Sequence, residues 1–226
     1  MDQSRILYRD DHCLAVNKLP GELAQGDRSG AASLIDTLSS LTGLSRKKNG
    51  FLQPVHRLDR PASGVLLFAL TTSFFTAMTT LFQKREVEKT YWAVVEGRPS
   101  FTESELAHHL EPDRRRNLVR VSPDRPPNAR LSCRRAGESE RYSFLIVRPR
   151  TGRQHQIRVQ LAAAGFPIKG DVKYGARRGH PDRSILLHAR ELAFRHPLTD
   201  VPVRIIAPPP AGLLWDLFRK TAGGAD

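Results

Sequence analysis

The stretch "HRLDRPASGVLLFAL" (residues 56–70) sets a charged cluster directly against an apolar run. Its second half, "GVLLFAL" (64–70), is continuous, apolar and of strand length, which predicts a central, buried strand. Its first half crowds His56, Arg57 and Arg60 around Asp59. A carboxylate between two guanidiniums is either a structural ion pair or a group kept ionised for use as nucleophile or base. Its place at the entrance of a buried strand favours function, because scaffolds present working side chains at such ends. The residues alone leave both readings open.

Working outward, "SFFTAMTTLFQK" (73–84) repeats apolar residues at helical spacing, and "EKTYWAVVEG" (88–97) is β-branched and aromatic, a strand ended by Gly97. Strand, helix, strand in that order indicates a mixed sheet with helices packed on it. Upstream lie two short strands, 6–8 and 13–17, then an amphipathic helix over 32–44 and a basic loop, "SRKKNG" (45–50). Downstream, "RYSFLIVRP" (141–149) is a strand. "TGRQHQIRVQLAAAG" (151–165) reads as a helix with a Thr151–Gln154 capping box and Gly165 as its stop. "ILLHARELAF" (185–194) and "VPVRIIA" (201–207) are late strands, and "LLWDLFRK" (213–220) is a closing helix. Residues 111–135 hold eight arginines against three acidic residues, with little periodicity. They read as a basic irregular excursion, either a nucleic-acid contact or a solvated loop. No linker argues for a second domain, so the expectation is one catalytic domain over 1–226.

The chain has 36 Lys and Arg against 23 Asp and Glu, a formal net charge of +13 in 226 residues. A chain this basic suits a polyanion, whose counterions are released on binding; plain solubilising charge is the alternative. A membrane surface fits less well, since no long basic amphipathic helix is present. The two cysteines, Cys13 and Cys133, are too far apart for paired metal ligands. The polar N-terminus lacks a secretory pattern, and no apolar run approaches the ~20 residues that span a bilayer. These features place the protein in the reducing cytoplasm.

Two further clusters are candidates. Arg153, His155 and Arg158 lie in the first turns of the 151–165 helix, suited to an anion ranging from phosphate to the Asp59 carboxylate, or forming a basic solvent face. Tyr91 and Trp92 point to opposite faces of their strand, one toward the core and one toward a cleft. There is no HExxH, P-loop, dinucleotide fingerprint or nucleophile elbow, and the adjacent His108 and His109 read as surface residues. No metal and no cofactor are indicated.

Together "HRLDRPASGVLLFAL", "KTYWAVVEG", "PRTGRQHQIRVQLAAAGFPIKGDVKYG" and "LLHARELAFRHP" resemble, block by block and in order, the RluA-type pseudouridine synthases. The resemblance implies an α+β fold, a mixed, largely antiparallel central sheet flanked by helices and loops around a catalytic cleft. It implies isomerisation of uridine in tRNA, rRNA or both, with no cofactor. Asp59 matches the essential aspartate, acting as nucleophile or as base at the sugar. Arg57 matches the arginine that turns the nucleotide out of its stack, and His56, Arg153 and His155 lie in the same RNA-facing blocks. Tyr91 matches the tyrosine that packs on uracil and helps move the C5 proton, and Arg158 the basic residue that pairs with the aspartate. Gly170, Asp171, Leu187 and His188 match blocks that shape the site. The family usually has Thr where this chain has Ala62, and His where it has Gln160. Those departures motivate a second reading, a vestigial RNA-binding or RNA-folding protein. A third, a hydrolase or transferase acting on a free nucleoside, sits poorly with the basic surface. The chain is expected to act as a monomer.

Overall fold

The computed structural model describes residues 3–26, 30, 32–42, 50–113 and 115–222. Of the basic 45–50 loop only Gly50 lies within them, and Arg114 lies outside. The elements in chain order are β1 (Ile6–Arg9), β2 (Cys13–Lys18), α1 (Leu34–Thr42), β3 (Gln53–Pro54), β4 (Ser63–Ala69), α2 (Thr72–Lys84), β5 (Glu88–Glu96), β6 (Glu103–Asp113), β7 (Leu118–Ser122), β8 (Ala129–Glu138), β9 (Tyr142–Pro149), α3 (Gln156–Ala163), β10 (Leu187–Arg195), β11 (Pro202–Ile206) and α4 (Leu213–Ala222). They fall into two compact units: Met1–Lys89 with Ala189–Pro209, and Thr90–His188 with Pro210–Asp226. Two of the three chain crossings fall inside strands, β5 and β10, so no linker composition marks them.

In the first unit the strand order is β1-β2-β4-β10, with β3 added to β4 and β11 to β10. β2 runs antiparallel to β4 from Cys13↔Ala69 to Lys18↔Gly64. All seven residues of β4 are buried. Val65, Leu67 and Ala69 pack with Phe74 and Met78 of α2 and with Leu192, Phe194, Val203 and Ile205. Leu66 and Phe68 go to the opposite face, with Leu34, Ile35 and Leu38 of α1. A strand covered on both faces has no use for polar alternation, which explains the unbroken apolar run. Burying each such Leu or Phe contributes roughly 1.5–3 kcal/mol. α2 starts where the Thr71 hydroxyl accepts the Phe74 N–H at 3.3 Å, and ends at Arg85, whose φ of 64° cannot continue a helix.

In the second unit the order is β5-β9-β8-β6-β7, antiparallel throughout. α4 closes one face: Trp215 and Phe218 pack with Trp92, Val94, Phe144 and Ile146, and the Trp92 and Phe218 rings stack at 4.6 Å. Residues 111–135 are not an irregular excursion. They contain the end of β6, all of β7 and the start of β8, and β6 pairs with both of the others. Two of their three acids are engaged locally, Asp113 by Arg120 and Glu111 by Arg125, each at 3.0 Å. Strand formation here depends on partners up to 31 residues away, Glu103 opposite Arg134, and β6 offers few apolar residues to reveal it.

Helix α3 also differs from expectation. It begins at Gln156, five residues after Thr151, and no Thr151–Gln154 capping box forms among the bonds seen. The Thr151 hydroxyl instead donates to Gln156 Oε1 at 2.7 Å and accepts the Arg130 N–H at 2.9 Å. Gln156 Oε1 also accepts the Arg153 N–H at 3.0 Å, so the helix start is tied to β8 rather than capped from its own sequence.

Candidate active site

Asp59 opens a tight turn whose main chain is fixed at several points. Its carbonyl accepts the Ala62 N–H at 3.0 Å, and the Arg60 carbonyl accepts the Gly21 N–H at 2.7 Å. Arg60 Nε returns a bond to the Gly21 carbonyl at 3.0 Å. Beneath the turn lies Lys18, fully buried at the end of β2. Its ammonium donates to the carbonyls of Leu19 at 3.0 Å, Arg60 at 3.0 Å and Ala62 at 2.6 Å. Burial pushes Lys18 down to about 8 against the pull of Glu22 and Asp59. Sequence reasoning passed over Lys18; the signal was a lysine closing the otherwise apolar "CLAVNK".

The turn leads into Gly64, where only glycine fits. Its φ is +116°, and a Cβ there would lie 2.2 Å from the Ala189 carbonyl oxygen. Ala62 is buried and contributes main-chain groups to the turn, an N–H to Asp59 and a carbonyl to Lys18. Arg57 is exposed. His56 is engaged differently: its Nε2 accepts the Leu67 N–H at 3.2 Å and its ring lies 5.4 Å from that of Phe82. Burial, helped by the Lys89 charge, lowers His56 to about 4, so the ring is neutral at pH 7 and supports β4.

In the second unit Tyr91 is half-buried, while Trp92 beside it belongs to the aromatic core under α4. Of the two aromatics, Trp92 is the one turned toward the core. Arg158, on α3, is 4% exposed and makes a two-pronged bond to Asp171, Nε to Oδ2 at 2.7 Å and Nη2 to Oδ1 at 2.8 Å. Asp171, expected only to shape the site, is thus a carboxylate partner of Arg158. His155 does not share a helix face with Arg158: it stands before α3 at a φ of 52°, and its Nδ1 lies 2.7 Å from the Tyr174 hydroxyl. Arg153 is exposed, its Nε donating to the Asn128 carbonyl at 3.4 Å.

Gly170 precedes Asp171 at a φ of +92°, where a Cβ would lie 2.6 Å from the Ser184 carbonyl. Leu187 and His188 are buried at the start of β10, and the His188 ring packs edge-on against Trp215 at 5.9 Å. Gln160 is fully buried and pins α3 to the sheet, its Nε2 donating to the Leu106 carbonyl at 3.0 Å and meeting His108 Nδ1 at 3.2 Å. His108 and His109 are therefore not free surface residues; both are half-buried, and His109 Nδ1 lies 2.7 Å from the Pro126 carbonyl.

Among the described residues one group has the composition of a metal site: Asp10, Cys13 and His196, with ligand atoms within 4.8 Å of one another. Its bonding argues against a metal. His196 Nδ1 accepts N–H groups from Leu198 at 3.3 Å and Thr199 at 3.1 Å, which leaves the ring proton on Nε2, 3.4 Å from Asp10 Oδ2. Asp10 also accepts the His12 and Cys13 N–H groups, each at 2.7 Å, and the Tyr8 hydroxyl at 2.9 Å. Burial, with the Asp10 charge beside it, pushes the Cys13 thiol far up, so it stays protonated in this bonding pattern. The group is a polar knot closing the β1–β2 turn. No helix among the described residues is long and apolar enough to cross a membrane.

The family model described as RNA pseudouridylate synthase matches residues 12–163. The chain belongs to this family. Membership agrees with the four ordered blocks and their RluA-type resemblance, and it makes the chain one of a family of isomerases. A ribosomal large subunit pseudouridine synthase C of Escherichia coli (strain K12) is 38% identical over 92% of this chain and 67% of its own length. A tRNA pseudouridine synthase C of Haemophilus ducreyi is 34% identical, with 89% of both chains covered. The chain thus spans about two thirds of the length of the large-subunit relatives it matches. The solved structure titled "Human RNA Pseudouridylate Synthase Domain Containing 1" superposes with a TM-score of 0.76 at 25% identity, covering 94% of this chain and 86% of that one. The synthase fold, a mixed and largely antiparallel sheet with helices packed on it, is the one expected.

Proposed function

We propose that this chain isomerises uridine to pseudouridine in tRNA, rRNA or both, without a cofactor, as a cytoplasmic monomer whose two units work as one catalytic domain. The C1′–N1 bond of a uridine breaks, the uracil turns, and C1′ joins C5; the C5 proton leaves and N1 gains one, so the product is an isomer. Asp59 supplies the carboxylate, as nucleophile at C1′ or as base at the sugar. Arg57, exposed beside it, fills the place left by the flipped nucleotide, since a stacked base has to be extruded before its C1′ can be reached. Tyr91 offers an aromatic face for the uracil, and Arg158 pairs with the working carboxylate. His56, Arg153 and His155 stand on the RNA side, His56 also accepting the Leu67 N–H with its Nε2. The formal net charge of +13 suits an RNA partner.

The observation that carries this reading is the fixed turn at Asp59, held by Lys18, Gly21 and Gly64. Chemistry at C1′ gains most from a carboxylate already in place, and an orienting scaffold is what this turn provides. Release of tritium from C5-labelled RNA tests it. The wild-type chain is expected to release label and Asp59→Asn to lose roughly 10⁴-fold of the rate. Equal release from the two overturns the reading.

The vestigial alternative rests on Ala62 and Gln160, and both have structural duties here. Ala62 serves the turn through its main chain, and Gln160 binds a helix to a sheet. Salt-dependent RNA binding that survives Asp59→Asn, with no label released by the wild type, would decide for that alternative.

A further inference from the structure

Arg158 is held by groups that are themselves held. Asp171, 1% exposed, occupies the Nε–Nη2 edge of its guanidinium at 2.7 and 2.8 Å. The ring of Tyr174 lies against the guanidinium, with 5.0 Å from Cζ to the ring centre, within the range of cation–π attraction. Neither partner is loose. The Asp171 N–H donates to the Ile168 carbonyl at 2.9 Å, and its carbonyl accepts N–H groups from Tyr174 at 3.0 Å and Ala176 at 3.1 Å. Gly170 before it has no room for a side chain. The Tyr174 hydroxyl accepts the Val119 N–H at 3.0 Å and lies 2.7 Å from His155 Nδ1. Strand β7 and the residue before α3 thus meet on one hydroxyl, and the ring it carries bears on Arg158.

We propose that Asp171 and Tyr174 are positioning residues that fix the direction of the Arg158 guanidinium, so that Arg158 serves the reaction as an aimed donor whose charge is already balanced within its own unit. This rests on the function proposed above and adds what sets its geometry. A planar fork held on one edge and one face keeps a single orientation of its Nη1 edge, which a flexible ammonium does not reproduce. A misplacement of about 1 Å in such a group costs on the order of 10²-fold in rate.

The test uses the full chain with Asp171→Glu, Asp171→Asn, Tyr174→Leu, Arg158→Lys and the double variants pairing Arg158→Lys with the first and third. Two readouts are taken: kcat and KM for tritium release, and the mobility of the Arg158 Nε–H in ¹⁵N-labelled protein. Asp171→Glu and Tyr174→Leu are expected to lower kcat about 30- to 100-fold with KM within about twofold. They are also expected to mobilise the Nε–H, and each is expected to add little to the loss in Arg158→Lys, because positioning through one residue is not additive with its loss. Wild-type kcat in both single variants, or losses that multiply with Arg158→Lys, overturns the proposal. If Asp171→Asn unfolds, leaving Arg158 buried and unpaired, the Glu and Leu variants carry the result. A wild type that releases no label defeats the proposed function alone; the Nε–H measurement still decides the positioning, which fails if Arg158 in the wild type is as mobile as a surface arginine.

Discussion

In the first unit the turn at Asp59 is secured through main-chain carbonyls gathered on Lys18, whereas in the second the guanidinium of Arg158 is secured through the side chains of Asp171 and Tyr174. The two strategies tolerate change differently. A turn held by its backbone depends less on side-chain identity, and Ala62 serves it through its N–H and carbonyl alone. A guanidinium held by side chains depends on the identity of each. Within one protein, then, residues of similar functional weight can differ in how much sequence freedom surrounds them.

The first way to break the backbone-held side is Gly64→Ala. The new Cβ would meet the Ala189 main chain at 2.2 Å in a positive-φ conformation, and β4, buried along its whole length, has no room to retreat. A loss of about 4 kcal/mol is expected, read by denaturant unfolding. A loss below about 1 kcal/mol would mean that the approach at Gly64 is not what fixes the turn.

Lys18→Met comes next. It leaves the carbonyls of Leu19, Arg60 and Ala62 without their donor, offset in part by relief of a buried charge, for a net loss of about 2 kcal/mol. Its pH signature sharpens the comparison. Lys18 gives up its proton near 8 when folded and at its ordinary 10.5 when unfolded, so between those values the unfolded chain holds more protons. Folding therefore gains on the Met variant as pH rises from about 8 to 10.5. Catalysis moves the other way, because a neutral amine has two N–H groups for three carbonyls; the rate of the wild type is expected to fall as pH rises through about 8. Parallel pH dependence of stability in the two proteins would remove Lys18 from this role.

The smallest effect is expected from Thr151→Val on the side-chain-held side. It removes the bonds to Arg130 and Gln156 that anchor the start of α3, for about 1 kcal/mol and a fall of about 2–4 °C in melting temperature. Arg158 stays on its helix, so kcat should change less than in Tyr174→Leu. A larger loss of kcat in Thr151→Val would move the anchoring of Arg158 from Tyr174 to the helix start.

What was legible in the sequence was what is local. β4 announced itself because a strand buried on both faces is apolar along its length, and α2 and α4 because their buried faces repeat at helical spacing. The candidate residues Asp59, Tyr91 and Arg158 stood out through ordered blocks. What was hidden depends on distant partners. Thr151 looks like a cap to its own helix, yet its hydroxyl serves Arg130, twenty-one residues away. β7 exists because β6 pairs with it, and its own five residues say little. The pairing of Arg158 with Asp171 spans thirteen residues across a chain reversal at Gly170, a separation no helical or strand period marks. Lys18 carries no mark in the sequence, since its three acceptors are main-chain atoms with no letter of their own.

The aromatic cluster under α4 gives the two units different optical voices. The chain has two tryptophans, Trp92 and Trp215, and both are buried in that cluster in the second unit. Tryptophan emission on heating therefore follows the second unit alone, while far-ultraviolet circular dichroism follows the strands and helices of both. A red shift in emission at the same temperature as the loss of dichroism marks a single cooperative unfolding, and two separated transitions mark two.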